Sequence, residues 1–304
     1  MLIGNRTFNK EKKVYIMGIL NVTEDSFSDG GKYLSPEMAV RHAEEMIRDG
    51  VDVIDIGAES TRPGYQEISV EEEIGRLVPV IRKLRENFDV PVSVDSYKAE
   101  VMDAALGEGA DLANDIWGFR YEELHPDKRT GGLSMAEVVA KYHKPVVLMH
   151  NDLLERDAGL RTEAQYRLSG ISPEGEKKLV VRIKEGFARS IAIAEAAGVP
   201  KDQILLDPGV GFAKTQDENM ECLARLSELI FPGCEMLLGA SRKSVIGNAL
   251  QVPPEEREEG TMVTSMLAAD AGYLFVRVHD VKKNRRTLDF LRFVREKNAG
   301  KPVK

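Results

Sequence analysis

The sequence predicts a (β/α)8 barrel, a TIM barrel, formed by a single domain over residues 1–304. Eight short apolar runs alternate with amphipathic helical stretches, which is the pattern of this fold. Most of the runs lead directly into polar residues. The alternative is a doubly wound open sheet, which normally places a glycine-rich phosphate turn after its first strand. No such turn follows Leu20.

The predicted strands are almost wholly apolar, as expected for strands that are buried on both faces of a parallel sheet. Their predicted bounds are 14–20, 53–57, 91–95, 111–116, 145–151, 204–207, 235–239 and 273–280. Helices are predicted at 35–50, 69–87, 98–107, 134–142, 176–197, 217–229 and 259–271, with one that opens at 240–244 and a terminal helix at 282–297. The alternation of strands and helices continues over about 290 residues.

Helix ends and apolar faces support these assignments. Ser35-Pro36-Glu37 is typical of an N-cap, a first-turn proline and an acidic first turn, and Gly50 ends the same helix. The residues predicted to face inward on the first two helices are Ala39, His42, Ala43, Met46, Ile47, Ile74, Leu77, Val78, Ile81 and Leu84.

Composition excludes several classes of protein. Net charge is −8, aromatic residues are 6%, and no basic block occurs, so a nucleic-acid partner is not expected. No apolar run reaches membrane-spanning length, and the first residues lack the apolar segment of a signal peptide. The two cysteines, Cys222 and Cys234, have no metal-type spacing and indicate a reducing compartment. A cytoplasmic protein is therefore predicted.

Polar residues gather at the carboxyl ends of the predicted strands, where barrel enzymes place their active sites. This clustering is the main evidence in the sequence for an enzyme. All but Met149 and Gly239 of the residues at these ends have polar side chains: Asn21, Thr61, Arg62, Asp95, Asn114, Met149, Asp207, Gly239, Lys243, Arg277 and His279.

Several of these residues also have a structural interpretation. Asp207 and Asn21 could each cap a turn through their own side chains. Arg277 and His279 alternate along a strand and so share one face, which could be the outer, solvated face. A lysine at a helix start is unfavourably placed against the positive end of the helix dipole. Lys243 is therefore predicted to have a functional role and not to be an ordinary surface lysine. His150 is expected to satisfy a backbone group and not to bind metal, because no second ligand has the required spacing.

The strand ends divide into two chemistries. Asp95, Asn114 and Asp207 suit a flat heterocycle with several N–H donors, and Ile116, Met149 and Phe212 offer apolar contacts for its faces. Asn21, Arg277 and His279 combine a neutral oxygen with two anion-binding groups. That second set suits a phosphate with magnesium.

Six segments together resemble the dihydropteroate synthase family, in the family's order and over about residues 14–285. They are ILNVT with DSFSDGG (19–31), GAESTRPG (57–64), NDIWG (114–118), LDPGVGFAKT (206–215), SRKS (241–244) and RVHD (277–280). The resemblance implies a (β/α)8 transferase that joins 6-hydroxymethyl-7,8-dihydropterin diphosphate to 4-aminobenzoate in folate biosynthesis. It also implies competition by sulfonamides and a homodimer formed through the last helices.

The resemblance also implies roles for individual residues. Asp95, Asn114, Asp207 and Lys243 would bind the pterin, with Ile116, Met149, Gly211 and Phe212 around the ring. Asn21 would be the magnesium and diphosphate ligand, with Arg277 and His279 on the same anion. Asn21, Lys243, Arg277 and His279 would be the catalytic set. Phe27, Thr61, Arg62, Pro63 and Ser244 would form the 4-aminobenzoate site.

The implied reaction begins with departure of diphosphate, which leaves a pterin methylene cation that the amine then attacks. The loops 22–31 and 58–64 are polar and rich in glycine, and they are expected to order over bound substrate. Glu24 stands where the family usually has proline, and the polar stretch 152–174 is predicted to be a surface insertion.

Two other classes are weighed against this reading. A pterin-binding methyltransferase domain would not need the STRPG or RVH segments, and both are present. An inactive paralogue should have lost Asn21, Lys243 or Arg277, and all three are present.

Overall fold

The computed structural model describes residues 1–11, 13–22, 36–59, 67–125, 132–154 and 178–298. Predictions for Phe27, Thr61, Arg62 and Pro63, for Glu24, and for most of the 22–31 and 58–64 loops and the 152–174 stretch lie outside these residues.

Eight parallel strands close into a barrel, as the sequence predicts. The first barrel strand pairs with the second on one side and with the eighth on the other. After a two-stranded hairpin, β1 (Leu2–Ile3) and β2 (Arg6–Thr7), the barrel strands are β3 (Tyr15–Asn21), β4 (Val53–Gly57), β5 (Val92–Asp95), β6 (Leu112–Asp115), β7 (Val146–Met149), β8 (Ile204–Asp207), β9 (Glu235–Leu238) and β10 (Phe275–Val278).

Helices surround the barrel close to their predicted positions. They are α1 (Pro36–Arg48), α2 (Val70–Asn87), α3 (Ala99–Gly107), α4 (Tyr121–Leu124), α5 (Met135–Tyr142), α6 (Leu179–Ala197), α7 (Gln216–Ala224), α8 (Ser244–Leu250), α9 (Glu258–Asp270) and α10 (Val281–Asn298). The sequence analysis missed the hairpin and α4, because elements of two to four residues carry no periodic signal. The predicted helix 217–229 divides into α7 and a 3-10 turn, Leu226–Leu229.

Two of the predicted inward positions are wrong. His42 is 36% exposed and pairs with Glu45 at 3.6 Å. On α2, Val80 is buried, whereas Val78 is only partly buried. Glu73 is also buried on this helix, because it pairs with Lys98 at 2.9 Å.

The barrel wall separates two apolar cores, because residues alternate between its faces along each strand. Ile16, Ile54 and Leu206 belong to the outer core, which packs against the helices. Their neighbours Met17, Val53 and Leu205 belong to a second, inner core.

The N-terminal hairpin closes this inner core at the amino ends of the strands, here called the lower end of the barrel; the carboxyl ends form the upper end. Ile3 and Phe8 are buried there, and the Phe8 ring lies 4.8 Å from Tyr15 and 5.0 Å from Phe275. The lower half of the barrel is therefore filled with side chains, and the upper half is left for polar groups. Among the described residues, no helix is both long and apolar enough to cross a membrane.

Candidate active site

A partly buried arginine joins two carboxylates at the upper end of the barrel, where the carboxyl ends of the strands lie. Arg277 on β10 donates from Nε to Asp55 Oδ2 at 2.6 Å and from Nη2 to Asp95 Oδ2 at 2.7 Å. Asp55 is fully buried, and Arg277 is 21% exposed. Arg277 therefore lies on the inner face, and the alternative of a solvated outer face is wrong.

Asn114 and Ser93 complete this polar layer. The Asn114 amide lies 3.3 Å from Asp55 Oδ2, and the Ser93 hydroxyl donates to Asp55 Oδ1. Asp55 thus receives three neighbours from three different strands. The layer is preorganised, because a buried charge with several donors has few alternative positions.

A second polar centre lies around Asp207 at the end of β8. Its Oδ1 accepts the backbone N–H of Gly209 at 2.8 Å, so Asp207 does cap its own turn. A Cβ placed on Gly239 would lie 2.9 Å from Asp207 Oδ2 and 4.0 Å from the Arg277 side chain. Gly239 therefore leaves the space in which the two polar centres meet.

Lys243 lies across the glycine turn that follows Asp207. Its Nζ donates to Val210 O at 2.5 Å and lies 4.6 Å from the centre of the Phe212 ring. Gly209 has φ +67°, and a Cβ there would come within 2.0 Å of His150 O, so no other residue fits this turn. A Cβ on Gly211 would contact the Lys243 stem at 3.2 Å.

An apolar wall stands beside these two centres. Tyr97, Ile116, Trp117 and Met149 form one small buried cluster, and Phe212 packs against it. The sequence analysis assigned Ile116, Met149 and Phe212 to such a wall. Tyr97 is an addition to it.

His279 and Asn21 lie at the ends of β10 and β3, next to each other in the barrel order. The His279 ring places Nδ1 2.9 Å from the Ser241 hydroxyl. Asn21 is the last residue of β3 and is partly buried. Its side chain forms no hydrogen bond with the part of the chain that the structure describes.

A buried lysine supports the glycine turn from behind. Lys214 is fully buried, and its Nζ donates to Gly209 O at 3.0 Å and lies 3.1 Å from His150 Nδ1. Burial lowers the pKa of His150 well below its usual value, and the neighbouring Lys214 charge adds to this effect. His150 therefore pairs with a side chain, and the prediction that it satisfies a backbone group is wrong for its ring.

Comparison with known proteins decides the family. The family model described as pterin binding enzyme matches residues 17–279. A dihydropteroate synthase of Clostridium beijerinckii is 46% identical over 291 residues, covering 94% of this chain and 96% of its own. The Bacillus subtilis enzyme of the same name is 44% identical, with coverage of 91% and 87%.

The chain belongs to the dihydropteroate synthase family. It is therefore an enzyme of the transferase class.

Solved structures of the family share this fold over nearly the whole chain. A Clostridium difficile dihydropteroate synthase in the presence of pteroic acid has a TM-score of 0.81 and 42% identity, covering 95% of this chain and 99% of its own. The Yersinia pestis enzyme with a sulfonamide drug has a TM-score of 0.83 and 37% identity, with coverage of 98% and 99%.

Burial shifts the pKa values of three charged groups at the upper end of the barrel, Asp95, Asp207 and Lys243. Burial raises the pKa of Asp95 to about 7, against the attraction of Arg277 and with the help of the Asp55 charge. Burial also raises the pKa of Asp207, against the attraction of Lys243. It lowers the pKa of Lys243 to about 8, against the attraction of Asp207. Both carboxyl groups are therefore more readily neutral than ordinary aspartates.

The structure brings together most of the predicted family site. Asp95 and Asn114 share the Asp55 layer with Arg277, and Asp207 and Lys243 share the glycine turn. Ser244 is the first residue of α8, directly after Lys243, and is exposed. Their roles toward substrate stay predictions.

Asp55, Ser93 and Ser241 were not predicted as site residues. Asp55 carried a signal, since an aspartate inside an otherwise apolar strand needs a buried partner. Ser93 and Ser241 carried none, because a serine is common in any strand or turn.

Proposed function

We propose that the protein condenses 6-hydroxymethyl-7,8-dihydropterin diphosphate with 4-aminobenzoate, giving 7,8-dihydropteroate and diphosphate, in folate biosynthesis. The observation that carries the proposal is the pair of polar centres, Arg277 with Asp55 and Asp95, and Asp207 with Lys243, beside one apolar wall. Family members have been crystallised with 4-aminobenzoic acid and with 7,8-dihydropteroate.

The pterin would lie between the two centres. Asp95, Asn114 and Asp207 offer carbonyl and carboxylate oxygens to its N–H groups, and Lys243 offers a donor. Ile116, Met149, Gly211 and Phe212 would flank the ring. The neutral forms favoured by burial become ionised forms more easily once ligand donors replace the missing hydrogen bonds.

The diphosphate would lie against Asn21, Arg277 and His279. Arg277 uses Nε and Nη2 for the two aspartates, and its Nη1 forms no hydrogen bond with the described residues. That group remains to donate to an anion. Asp55 and Asp95 therefore aim the guanidinium while its outer edge contacts the leaving group.

Catalysis follows from this placement. When the bond from the pterin methylene to diphosphate breaks, its electrons leave with the diphosphate, and the electron-rich ring delocalises the remaining cation. Arg277 and His279 stabilise the charge that develops on the departing anion, and preorganised donors of this kind are usually the largest contribution to catalysis. The amine of 4-aminobenzoate then forms the new bond and loses a proton.

The residues present fit Mg²⁺. Magnesium is usually held by one or two protein oxygens together with phosphates and several waters. The Asn21 side-chain oxygen would hold it, at the strand end next to His279 and Arg277. When bound, the ion supplies further charge stabilisation to the diphosphate. The described residues contain no cluster of three metal-ligating side chains, and such a cluster is not required for this mode of binding.

Ser244 would contribute to the 4-aminobenzoate site, together with Phe27, Thr61, Arg62 and Pro63, which lie outside the described residues. We also propose a cytoplasmic, single-domain protein that forms a homodimer. Support for the dimer comes from exposed apolar side chains on two neighbouring helices, Val263, Met266 and Leu267 on α9 and Phe290 and Val294 on α10. Phe290 is 70% exposed, which is costly without a partner surface.

The deciding experiment is diphosphate release with both substrates and Mg²⁺, with product identified by mass spectrometry. Release that depends on 4-aminobenzoate and yields dihydropteroate is expected. Pterin binding without release would indicate a binding paralogue. Transfer of a methyl group from a methylated pterin would indicate the methyltransferase class.

A further inference from the structure

Ser241 contacts His279 twice, in the turn between β9 and α8. Its Oγ accepts the backbone N–H of His279 at 3.2 Å and lies 2.9 Å from the ring nitrogen Nδ1. Ser241 is buried, with 7% of its surface exposed. One hydroxyl therefore fixes both the backbone and the ring of a residue at the end of the last barrel strand.

The hydrogen count decides which ring nitrogen carries the proton in neutral His279. A serine hydroxyl has one hydrogen to donate and two lone pairs. If Ser241 accepted from Nδ1–H as well as from the backbone, its own hydrogen would have no acceptor among the described residues. If it donates to Nδ1, its hydrogen is used and one lone pair takes the backbone N–H. The second arrangement leaves no buried donor unpaired and is favoured for that reason.

We propose that Ser241 is a positioning residue that holds neutral His279 in the tautomer with its hydrogen on Nε2. The partner of one ring nitrogen sets the proton on the other. Nε2 then becomes a donor suited to an anion. This inference rests on the proposed function for its catalytic meaning, because the anion is the diphosphate that departs.

The turn that carries Ser241 is held in a strained conformation. Arg242, the next residue, has φ +55°, a left-handed value that few non-glycine residues adopt. Its N–H donates to Thr261 Oγ1 at 3.1 Å, and its carbonyl accepts from Arg257 Nη1 at 3.0 Å. Contacts from the start of α9 thus compensate the strain and keep Ser241 aimed at His279.

Glu258 ties this turn to the one that follows His279. Its Oε2 accepts from Arg242 Nε at 3.1 Å, and its Oε1 accepts from Asn284 Nδ2 at 2.8 Å. The same Asn284 amide donates to the carbonyl of Asp280, the neighbour of His279, at 2.8 Å. Glu258 is 3% exposed and Asn284 is fully buried, so this frame is rigid. One buried network therefore contacts both Arg242, the neighbour of Ser241, and Asp280, the neighbour of His279.

The first test uses the unaltered protein without substrates. Nitrogen-15 NMR of histidine distinguishes the two neutral tautomers, and His279→Gln assigns the signal among the five histidines. The expected result is a hydrogen on Nε2. A hydrogen on Nδ1 would overturn the proposal without any activity measurement.

The second test compares Ser241→Ala with Ser134→Ala. Ser134 also loses two hydrogen bonds, since its capping box with Glu137 opens α5, but it contacts no site residue. For Ser241→Ala we expect a mixture of tautomers and a fall in kcat of about 10-fold, the lower end of the loss seen on removing an outer-shell partner. KM for the pterin diphosphate should change little, because the contact strengthens as the anion departs.

Ser134→Ala should keep both the tautomer and kcat. An unchanged tautomer in Ser241→Ala, or equal losses of kcat in Ser241→Ala and Ser134→Ala, would contradict the proposal. If the unaltered protein releases no diphosphate, the proposed function fails, while the NMR result still decides the role of Ser241.

Discussion

The two ends of the barrel interior are built from the same strands but from opposite kinds of residue. At the lower end, Met17, Leu205 and Phe275 pack against the hairpin residues Ile3 and Phe8 with no charged group among them. Two positions further along the same strands, Leu205 is followed by Asp207 and Phe275 by Arg277. On the inner face of these strands, an apolar residue and a charged residue are therefore consecutive, two positions apart in the sequence.

Buried charge is confined to the upper end of the barrel interior. The upper layer holds three carboxylates, Asp55, Asp95 and Asp207, and two cations, Arg277 and Lys243. When all five of these groups are ionised, they carry one more negative than positive charge, and burial raises the pKa of Asp95 and Asp207. The lower end stabilises the fold, and the upper end accepts an unfavourable arrangement that a ligand with N–H donors would relieve.

The largest effect should come from Asp207→Ala. We expect loss of detectable pterin binding with the fold intact, because removal of a buried carboxylate also removes its desolvation cost. Calorimetric titration with a pterin measures the binding, and circular dichroism follows the fold. Unchanged affinity, or outright unfolding, would make Asp207 a structural residue.

Phe275→Ala is the matched change at the lower end. Its ring is fully buried against Phe8 and Tyr15, so truncation should lower the free energy of unfolding by about 3–5 kcal/mol. Pterin affinity of the folded fraction should remain. Urea denaturation measures the free energy of unfolding, and calorimetry measures the pterin affinity. A Phe275→Ala protein that lost pterin affinity but kept full stability would contradict the assignment of stability to the lower end and binding to the upper end.

His279→Ala should raise the activation barrier by about 2–4 kcal/mol, by analogy with a lost oxyanion donor. Pterin binding should change much less, because His279 is expected to contact only the departing anion. Steady-state kinetics and calorimetry separate the two quantities. Equal losses in both would place His279 on the pterin instead.

Arg277→Ala should lower turnover in the same way but is a less specific test. The structure shows that it would leave Asp55 and Asp95 without their shared cation, and breaking a buried pair costs about 3–5 kcal/mol. We therefore expect the Arg277 variant to lose stability as well, measured by urea denaturation. A fully stable Arg277→Ala protein would contradict the pairing seen at the top of β10.

Asp95→Asn should reduce the pH dependence of the stability of the fold. A carboxyl group whose pKa is raised to about 7 on folding binds more protons in the folded state than in the unfolded state between about pH 4 and 7. Its contribution to stability is present at the acidic end of that window and declines as the pH rises. Unfolding midpoints at pH 4.5 and 7 should therefore differ less in Asp95→Asn, and an unchanged difference would assign the titration to another group.

The smallest effect concerns the order of binding. We expect 4-aminobenzoate to bind only after pterin diphosphate and magnesium, because Arg62 gains an anionic partner when a diphosphate lies at Asn21. The residues that carry this expectation, Phe27 and 61–63, lie outside the described part of the chain. Titration of 4-aminobenzoate with and without magnesium diphosphate measures it, and equal affinity would mean a preformed pocket.

The prediction of the strands succeeded because buried parallel strands consist of uninterrupted apolar runs with polar ends. Asp95, Asn114 and Asp207, which the sequence predicts as site residues, lie at such ends, and their roles toward substrate stay predictions. The predicted inward face of α2 was less accurate. Glu73 is buried there by its pairing with Lys98, a contact between distant segments that helical periodicity does not contain.

The apolar runs, their polar ends and the family motifs were therefore enough to predict the barrel and the end of it that carries the polar groups. Which polar groups contact one another became known from the fold. Arg277 and Asp55 are separated by 222 residues and lie 2.6 Å apart, and Ser241 reaches His279 across 38 residues. Barrel closure brings β10 beside β3 and so places Arg277 near Asp55 on β4, and the pairing of β9 with β10 places Ser241 near His279. A sequence pattern describes each strand separately and carries no such distance.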